Sequence, residues 1–157
     1  MAPDFRVFET LARHGVPFVV MGGHAVSFHG YVRGTEDTDI LWVRSPESEA
    51  GLLLALDELE ARYIGTEIDP ATGIERTYPV TASFVRSQRL MMLCTNAGFL
   101  DLFDYVPGHP DVAVAAVLES SVEAEGTRFV SLEWLRRLKN AAGRSKDLLD
   151  LENLPDS

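Results

Sequence analysis

Apolar residues recur along the chain at two spacings, one typical of helices and one typical of strands. Spacings of three and four predict helices over residues 4–14, 22–31, 46–63, 132–142 and 146–154, while residues 112–118 are expected to form a short helix or a turn. Ser45, followed by Pro46 and early acids, is a good helix start, and Gly15 and Gly143 are natural stops. Ser131 and Ser145 are expected to cap the last two helices.

Short apolar runs between turn residues predict strands. These runs cover residues 16–21, 37–43, 89–95 and 99–105, with a further hairpin over 121–130. Asn96-Ala97-Gly98 predicts a hairpin between the third and fourth runs. Residues 64–87 carry several turn signals and leave open either a strand or an irregular lid over 77–85. Helices mixed with strands and hairpins indicate an α+β fold with a mixed sheet.

Composition is that of a globular protein, with 46% apolar and 24% charged residues in 157. We expect one domain over 1–157, with its core at about 16–106 and C-terminal helices at about 131–154. No apolar run is long enough to cross a membrane, no signal peptide is visible, and Cys94 is the only cysteine, so we expect a cytoplasmic protein. A net charge of −10 argues against a broad nucleic-acid surface, although the C-terminal segment is locally basic.

The first candidate site is Asp37-Thr38-Asp39, which opens the second predicted strand. Alternate residues of a strand share a face, so the two carboxylates lie about 7 Å apart and repel each other. A divalent cation removes that conflict, and Mg²⁺ prefers oxygen ligands. Gly22-Gly23 follows the first strand, where glycines let a phosphate approach the backbone closely. The segment therefore predicts a metal-binding site beside a phosphate-binding site.

A third carboxylate is expected on a later strand. Asp101 is flanked by Leu100 and Leu102, and an acid inside an apolar strand needs a partner. A metal shared with the first two carboxylates is one such partner; a paired surface acid on an edge strand is the other interpretation. Asp104, three residues further on, is the alternative third ligand.

The Gly22-Gly23 pair, the later Asp-x-Asp and a third carboxylate together resemble the nucleotidyltransferase superfamily with the DNA polymerase β-like palm. The segment GGHAVSFHGYVRGTEDTDIL is most similar to small bacterial members related to AbiEii-type toxins and minimal nucleotidyltransferases. The resemblance implies a palm-like mixed sheet flanked by helices and a short C-terminal helical segment. Many family members have Gly-Ser where this chain has Gly22-Gly23.

The resemblance also implies a metal-dependent transferase of the EC 2.7.7 type. Two Mg²⁺ ions, with Mn²⁺ as an alternative, would be held by Asp37, Asp39 and Asp101, which would also be the catalytic residues. The enzyme would move an NMP from an NTP donor to an acceptor hydroxyl, with release of pyrophosphate. The acceptor would be a small molecule, a protein or tRNA. Nucleotide contacts are expected from Gly22, Gly23, His24, Thr35, Lys139 and Arg144.

Two other functions remain open from the sequence. The chain could be a catalytically weak nucleotide-binding protein, for instance one partner of a toxin–antitoxin pair. It could also be an Mg²⁺-dependent phosphohydrolase, although the glycine pair would then be unexplained. A zinc pair of His24 and His29 is disfavoured, because a spacing of five places them on different helix faces.

Overall fold

The computed structural model describes residues 5–35 and 37–156. Asp4, where the first helix was predicted to begin, and Glu36 of the loop before the second strand lie outside them. The described helices are α1 Arg6–Arg13, α2 Gly22–Phe28, α3 Pro46–Glu58, α4 Ala82–Ser87, α5 Val114–Glu119, α6 Leu132–Ala142 and α7 Ser145–Asn153. The described strands are β1 Phe18–Met21, β2 Asp37–Trp42, β3 Arg62–Ile68, β4 Glu75–Pro79, β5 Leu90–Thr95, β6 Gly98–Phe103, β7 Val122–Ala124 and β8 Thr127–Phe129.

All eight described strands form one mixed sheet in the order β4-β3-β5-β6-β2-β1-β8-β7. β2 runs parallel to β6 and β1 runs parallel to β8, while the other neighbours are antiparallel. The predicted hairpins β5–β6 and β7–β8 are both present. The α+β class with a mixed sheet flanked by helices is therefore confirmed.

The core lies around the central strands, and β2 runs from its surface into its middle. The last three residues of β2, Ile40 to Trp42, are fully buried on both faces of the sheet. At the start of the strand only Thr38 is buried, while Asp37 is exposed and Asp39 partly buried. The carboxylates therefore lie where the central strand leaves the apolar core.

The helix predicted over 46–63 is shorter than expected. Ser45 caps α3 by accepting a hydrogen bond from the Ser48 N–H at 3.0 Å, but the helix ends at Glu58. Glu60 has a φ of +53°, a left-handed conformation that stops an α-helix. Tyr63, predicted at the helix end, instead lies in β3 and stacks on Phe84 of α4 at 4.2 Å.

The segment 64–87 folds as a hairpin and a short helix. β3 and β4 pair across a turn at residues 69–74, where the Gly73 N–H donates to the Asp69 carbonyl at 2.7 Å. Residues 82–87 form α4, capped by Thr81, so the strand expected over 77–85 covers only its first part. Within the described residues, no helix is long and apolar enough to cross a membrane.

The two C-terminal helices pack against each other beside α2. Ser131 caps α6 by accepting from the Trp134 N–H at 3.1 Å, and Gly143 ends it with a φ of +62°, as predicted. The predicted Ser145 cap of α7 is wrong, since Ser145 is already the first helical residue. The N-cap residue is Arg144, whose backbone N–H donates a hydrogen bond to the Asp147 carboxylate at 3.1 Å.

Candidate active site

Asp39 and Asp101 lie side by side on adjacent strands. They are register partners in the parallel pair β2–β6, which places their Cα atoms about 4.8 Å apart. Their carboxyl groups are close enough to interact by a hydrogen bond. Asp37, two residues before Asp39, lies on the same face of the sheet and is exposed. The structure thus brings the three predicted carboxylates onto one face.

The electrostatics of this cluster favour protonation. Burial, followed by the charges of Asp39 and Asp37, raises the pKa of Asp101 to about 6. Burial and the charge of Asp37 also raise the pKa of Asp39, although Lys139 and Lys146 oppose that shift. Carboxylates whose pKa values are raised by burial and by neighbouring charges are typical of functional sites.

The glycine pair is required by close packing around the carboxylates. Gly22 directly follows β1 and has a φ of +67°, and a Cβ there would lie 2.3 Å from Asp39 Oδ2. A Cβ on Gly23 would lie 2.6 Å from Thr35 Oγ1. Thr35 in turn donates a hydrogen bond to the Asp37 carbonyl at 3.0 Å. Without the two glycines, neither Asp39 nor the Thr35 loop could lie against α2.

A polar pocket of about 240 Å³ opens next to the carboxylates. Its lining residues are Gly23, Arg33, Gly34, Thr35, Asp37, Asp39, Lys139, Arg144 and Lys146. Asp101 and Gly22 are not among them, although both adjoin Asp39, which is. The pocket therefore joins the start of β2, the loop before it and the two C-terminal helices.

Lys139, a predicted nucleotide contact, is 6% exposed and already has two anionic partners. Its Nζ lies 3.1 Å from Asp147 Oδ1 and 3.0 Å from Asp150 Oδ2. Asp150 also accepts two hydrogen bonds from the Arg33 guanidinium, each 2.8 Å. These partners lower the pKa values of Asp147 and Asp150 against the opposing effect of burial. Lys139 is therefore the centre of a buried ionic network at the floor of the pocket.

The other pocket cations are more available. Arg144 Nε lies 2.7 Å from Asp147 Oδ2, and its side chain is largely exposed. Lys146 is exposed and makes no hydrogen bond or ion pair with any residue in the described ranges. Neither Lys146 nor Arg33 was predicted from the sequence to be a site residue. Lys146 was discernible as the second of only two lysines, whereas the Arg33–Asp150 pair spans 117 positions and has no local signal.

Two predicted residues lie away from this pocket. The His24 ring is 3.2 Å from Thr38 Oγ1 and packs edge-on against Phe8, on the face of β2 opposite to Asp37 and Asp39. This placement gives no support to a nucleotide contact from His24. Asp104, the alternative third carboxylate, is bound to Arg44 at 2.7 Å and Arg89 at 3.1 Å, so it has cationic partners of its own.

The carboxylates fit Mg²⁺ in chemistry, since they are hard oxygen donors whose repulsion a cation would relieve. Their present arrangement is not that of a complete ligand set. Across residues 5–35 and 37–156, no group of three or more His, Cys, Asp or Glu side chains is placed to hold a metal ion. Asp39 and Asp101 are already in contact, and Asp37 is the exposed member of the three.

Comparison with known proteins places this geometry in a recognised fold. No family model and no curated protein matches the sequence. The crystal structure of ANT(2")-Ia in complex with adenylyl-2"-tobramycin superposes with a TM-score of 0.56 at 15% identity, over 94% of this chain and 82% of that one. The solution structure of the same antibiotic-resistance factor gives 0.55 at 15% identity, over 96% and 74%.

A nucleotidyltransferase-like protein from Paracoccidioides brasiliensis aligns with a TM-score of 0.48 at 16% identity, over 97% of this chain and 74% of that one. At this level of identity the similarities show the fold alone. The chain has the fold of ANT(2")-Ia, and it is an α+β fold with a mixed sheet, as predicted from the sequence. A specific relationship to AbiEii-type toxins stays a prediction.

Proposed function

We propose that the protein is a metal-dependent nucleotidyltransferase that moves an NMP from an NTP to an acceptor hydroxyl. The observation that carries this proposal is the register pair Asp39–Asp101 beside a pocket that also contains two exposed cations, Arg144 and Lys146. Anionic and cationic groups side by side suit a ligand that combines a divalent cation with a polyphosphate. The nucleotidyltransferase fold raises the expectation but does not by itself establish the activity.

Asp37, Asp39 and Asp101 would hold Mg²⁺ or Mn²⁺. When bound, the metal would offset phosphate charge and make the acceptor hydroxyl more acidic. The glycine at position 22 matters to this role because it leaves the Asp39 carboxyl group free to lie at the mouth of the pocket. Lysine charges near Asp39 would keep that carboxyl group ionised once a ligand is present.

The triphosphate would be held chiefly by Lys146 and Arg144. Lys146 is the exposed pocket cation without a partner in the described residues, so its charge is available to a ligand. Lys139 has two buried carboxylate partners, and its role in this scheme is to fix α6, α7 and Arg33 around the pocket. Phosphate selectivity would then come from surface cations held in place by a buried network.

Asp101 would act as the base for the acceptor hydroxyl. With a pKa of about 6, its carboxyl group is mostly ionised at neutral pH and can still take up a proton. The acceptor oxygen would form a bond to the α-phosphorus while the bond from that phosphorus to the bridging oxygen breaks. Pyrophosphate would leave, and the hydroxyl proton would pass to Asp101.

The direct test is to incubate the protein with each α-³²P-labelled NTP, Mg²⁺ and a panel of small hydroxyl compounds, a protein substrate and tRNA. We expect transfer of label to one acceptor class with one pyrophosphate per event, and its loss in Asp39→Asn. An Asp111→Asn variant, an exposed acid outside the pocket lining, is the matched control. Full transfer by Asp39→Asn would contradict the assignment, and release of inorganic phosphate would indicate a hydrolase.

A catalytically weak partner protein is the second candidate. It is favoured by one observation, that the three carboxylates are not preassembled as a metal ligand set in the described part of the chain. In that case the protein would bind an NTP or a partner protein without turnover. Stoichiometric nucleotide binding without transfer to any acceptor would select this function.

A further inference from the structure

The sheet has an apolar surface in an unusual place. In β5 (LMMLCT) and β6 (GFLDLF) both faces are mainly apolar, as in strands that are covered on both sides, and Asp101 is the one charged residue. Yet Met92 is 52% exposed and Phe99 is 49% exposed. We call these two side chains the Met92–Phe99 patch. An antiparallel pair with one open face normally carries polar residues there, so the patch needs a covering partner.

The strand register places this patch against the carboxylates. Phe99 is the register partner of Asp37 across β2–β6, and Met92 is the partner of Asp101 across β5–β6. Register partners share a face and have neighbouring side chains. Neither residue lines the polar pocket. The carboxylates thus separate two surfaces of different chemistry.

The two surfaces lie on opposite sides of the carboxylates. Gly23, in the polar pocket, follows β1, which is next to β2 on one side; β6 and β5 lie on the other. A phosphoryl group attacked in line needs its leaving group and its acceptor on opposite sides. If the pyrophosphate portion occupies the polar pocket, the side over β6 and β5 is the one that in-line geometry leaves to the acceptor.

We propose that the acceptor docks on the Met92–Phe99 patch and is a hydroxyl compound with an aromatic or apolar face. This inference rests on the nucleotidyl transfer proposed above. The exposed ring of Phe99 offers a stacking surface, and the Met92 thioether makes favourable contacts with aromatic rings. Asp37 and Asp101 border the patch, so a polyanionic acceptor such as RNA would be repelled there. The acceptor hydroxyl would lie beside Asp101, the register partner of Met92.

The patch can be tested by methyl NMR, because the chain has only four methionines to label with ¹³C. Three probes are titrated in turn: N-acetyltyrosinamide, methyl glucoside and a short RNA. Met92→Leu assigns the Met92 signal. We expect N-acetyltyrosinamide alone to shift it saturably, and Phe99→Ser to weaken that binding at least tenfold. Ile74→Ser, which changes a 66% exposed residue in the β3–β4 turn, is the control and should bind like wild type.

Binding that is unchanged by Phe99→Ser, or a Met92 shift with the glucoside or RNA instead, would overturn the inference. The same variant separates this inference from the proposed function. If Phe99→Ser transfers label to the acceptor as well as wild type does, the protein is a transferase but its acceptor does not dock on the Met92–Phe99 patch. If N-acetyltyrosinamide binds at Met92 but no NTP binds the protein, the proposed nucleotidyl transfer is wrong. The patch would then still be a binding site for aromatic rings. Where both hold, Phe99→Ser should raise the acceptor KM and leave the NTP KM unchanged.

Discussion

Replacing Asp101 by asparagine should stabilise the metal-free protein at alkaline pH. The raised pKa of about 6, against an ordinary value near 3.8, means that the ionised Asp101 is disfavoured in the fold. Two pKa units correspond to roughly 3 kcal/mol at most. Asp101 is only half-buried and screened by solvent, so we discount this to about 1 kcal/mol. For a chain of this length, that corresponds to a rise in Tm of about 2–4 °C.

The sign of the pH dependence follows from proton binding. The folded state binds a proton at Asp101 more tightly than the unfolded chain, so wild-type stability falls as pH rises from about 4 to about 6. Asp101→Asn removes this loss, and its advantage should be present at pH 8 and vanish near pH 4. Thermal unfolding in EDTA at both pH values measures it, with Asp111→Asn as control. A variant less stable than wild type at pH 8, or equally stabilised at both pH values, would refute the reasoning.

Three further predictions concern packing, the cations and the metal. Gly22→Ala should destabilise the protein by at least about 1 kcal/mol more than Gly15→Ala in denaturant unfolding. Both positions have a positive φ, but a new Cβ would meet Asp39 only at Gly22. Equal losses of stability in the two variants would contradict this. Lys139→Met should cost about 1.5–3 kcal/mol, because Asp147 and Asp150 each lose one of their two cationic partners. Lys146→Gln should change stability by under about 0.5 kcal/mol and weaken NTP binding severalfold in calorimetry. Excess Mg²⁺ should raise the wild-type Tm but not that of Asp39→Asn; an equal rise in both would place the metal elsewhere.

Much of the fold was predictable because its signals are local. The boundaries of α6 follow from Ser131 and Gly143, which act within one helical turn. Asp37 and Asp39 share a face because of strand alternation alone. The parallel pairing that brings Asp101 to Asp39 is not local and was not predicted. Asp101 was expected near Asp37 and Asp39 because an acid in an apolar strand needs a partner and because the family resemblance implies a third carboxylate.

What the sequence did not predict depends on contacts between distant segments. The helical spacing continues to Tyr63, but a left-handed residue at Glu60 sends the chain into β3, where Tyr63 packs on α4. The ionic partners of Lys139 are near in sequence, yet its burial results from packing of α6, α7 and the Arg33 loop. Availability of a charge, which favours Lys146 over Lys139 as the phosphate contact, is a property of the folded surface.

The central claim is that the carboxylate pair and the adjoining pocket form a metal-dependent nucleotide site. Isothermal titration of ATP, GTP, CTP and UTP with and without Mg²⁺, in wild type and Asp39→Asn, tests it most directly. We predict that at least one NTP binds wild type much more tightly with Mg²⁺ than without, and that Asp39→Asn abolishes this metal dependence while Asp111→Asn retains it. Absence of binding by any NTP, or an undiminished Mg²⁺ effect in Asp39→Asn, would contradict the claim.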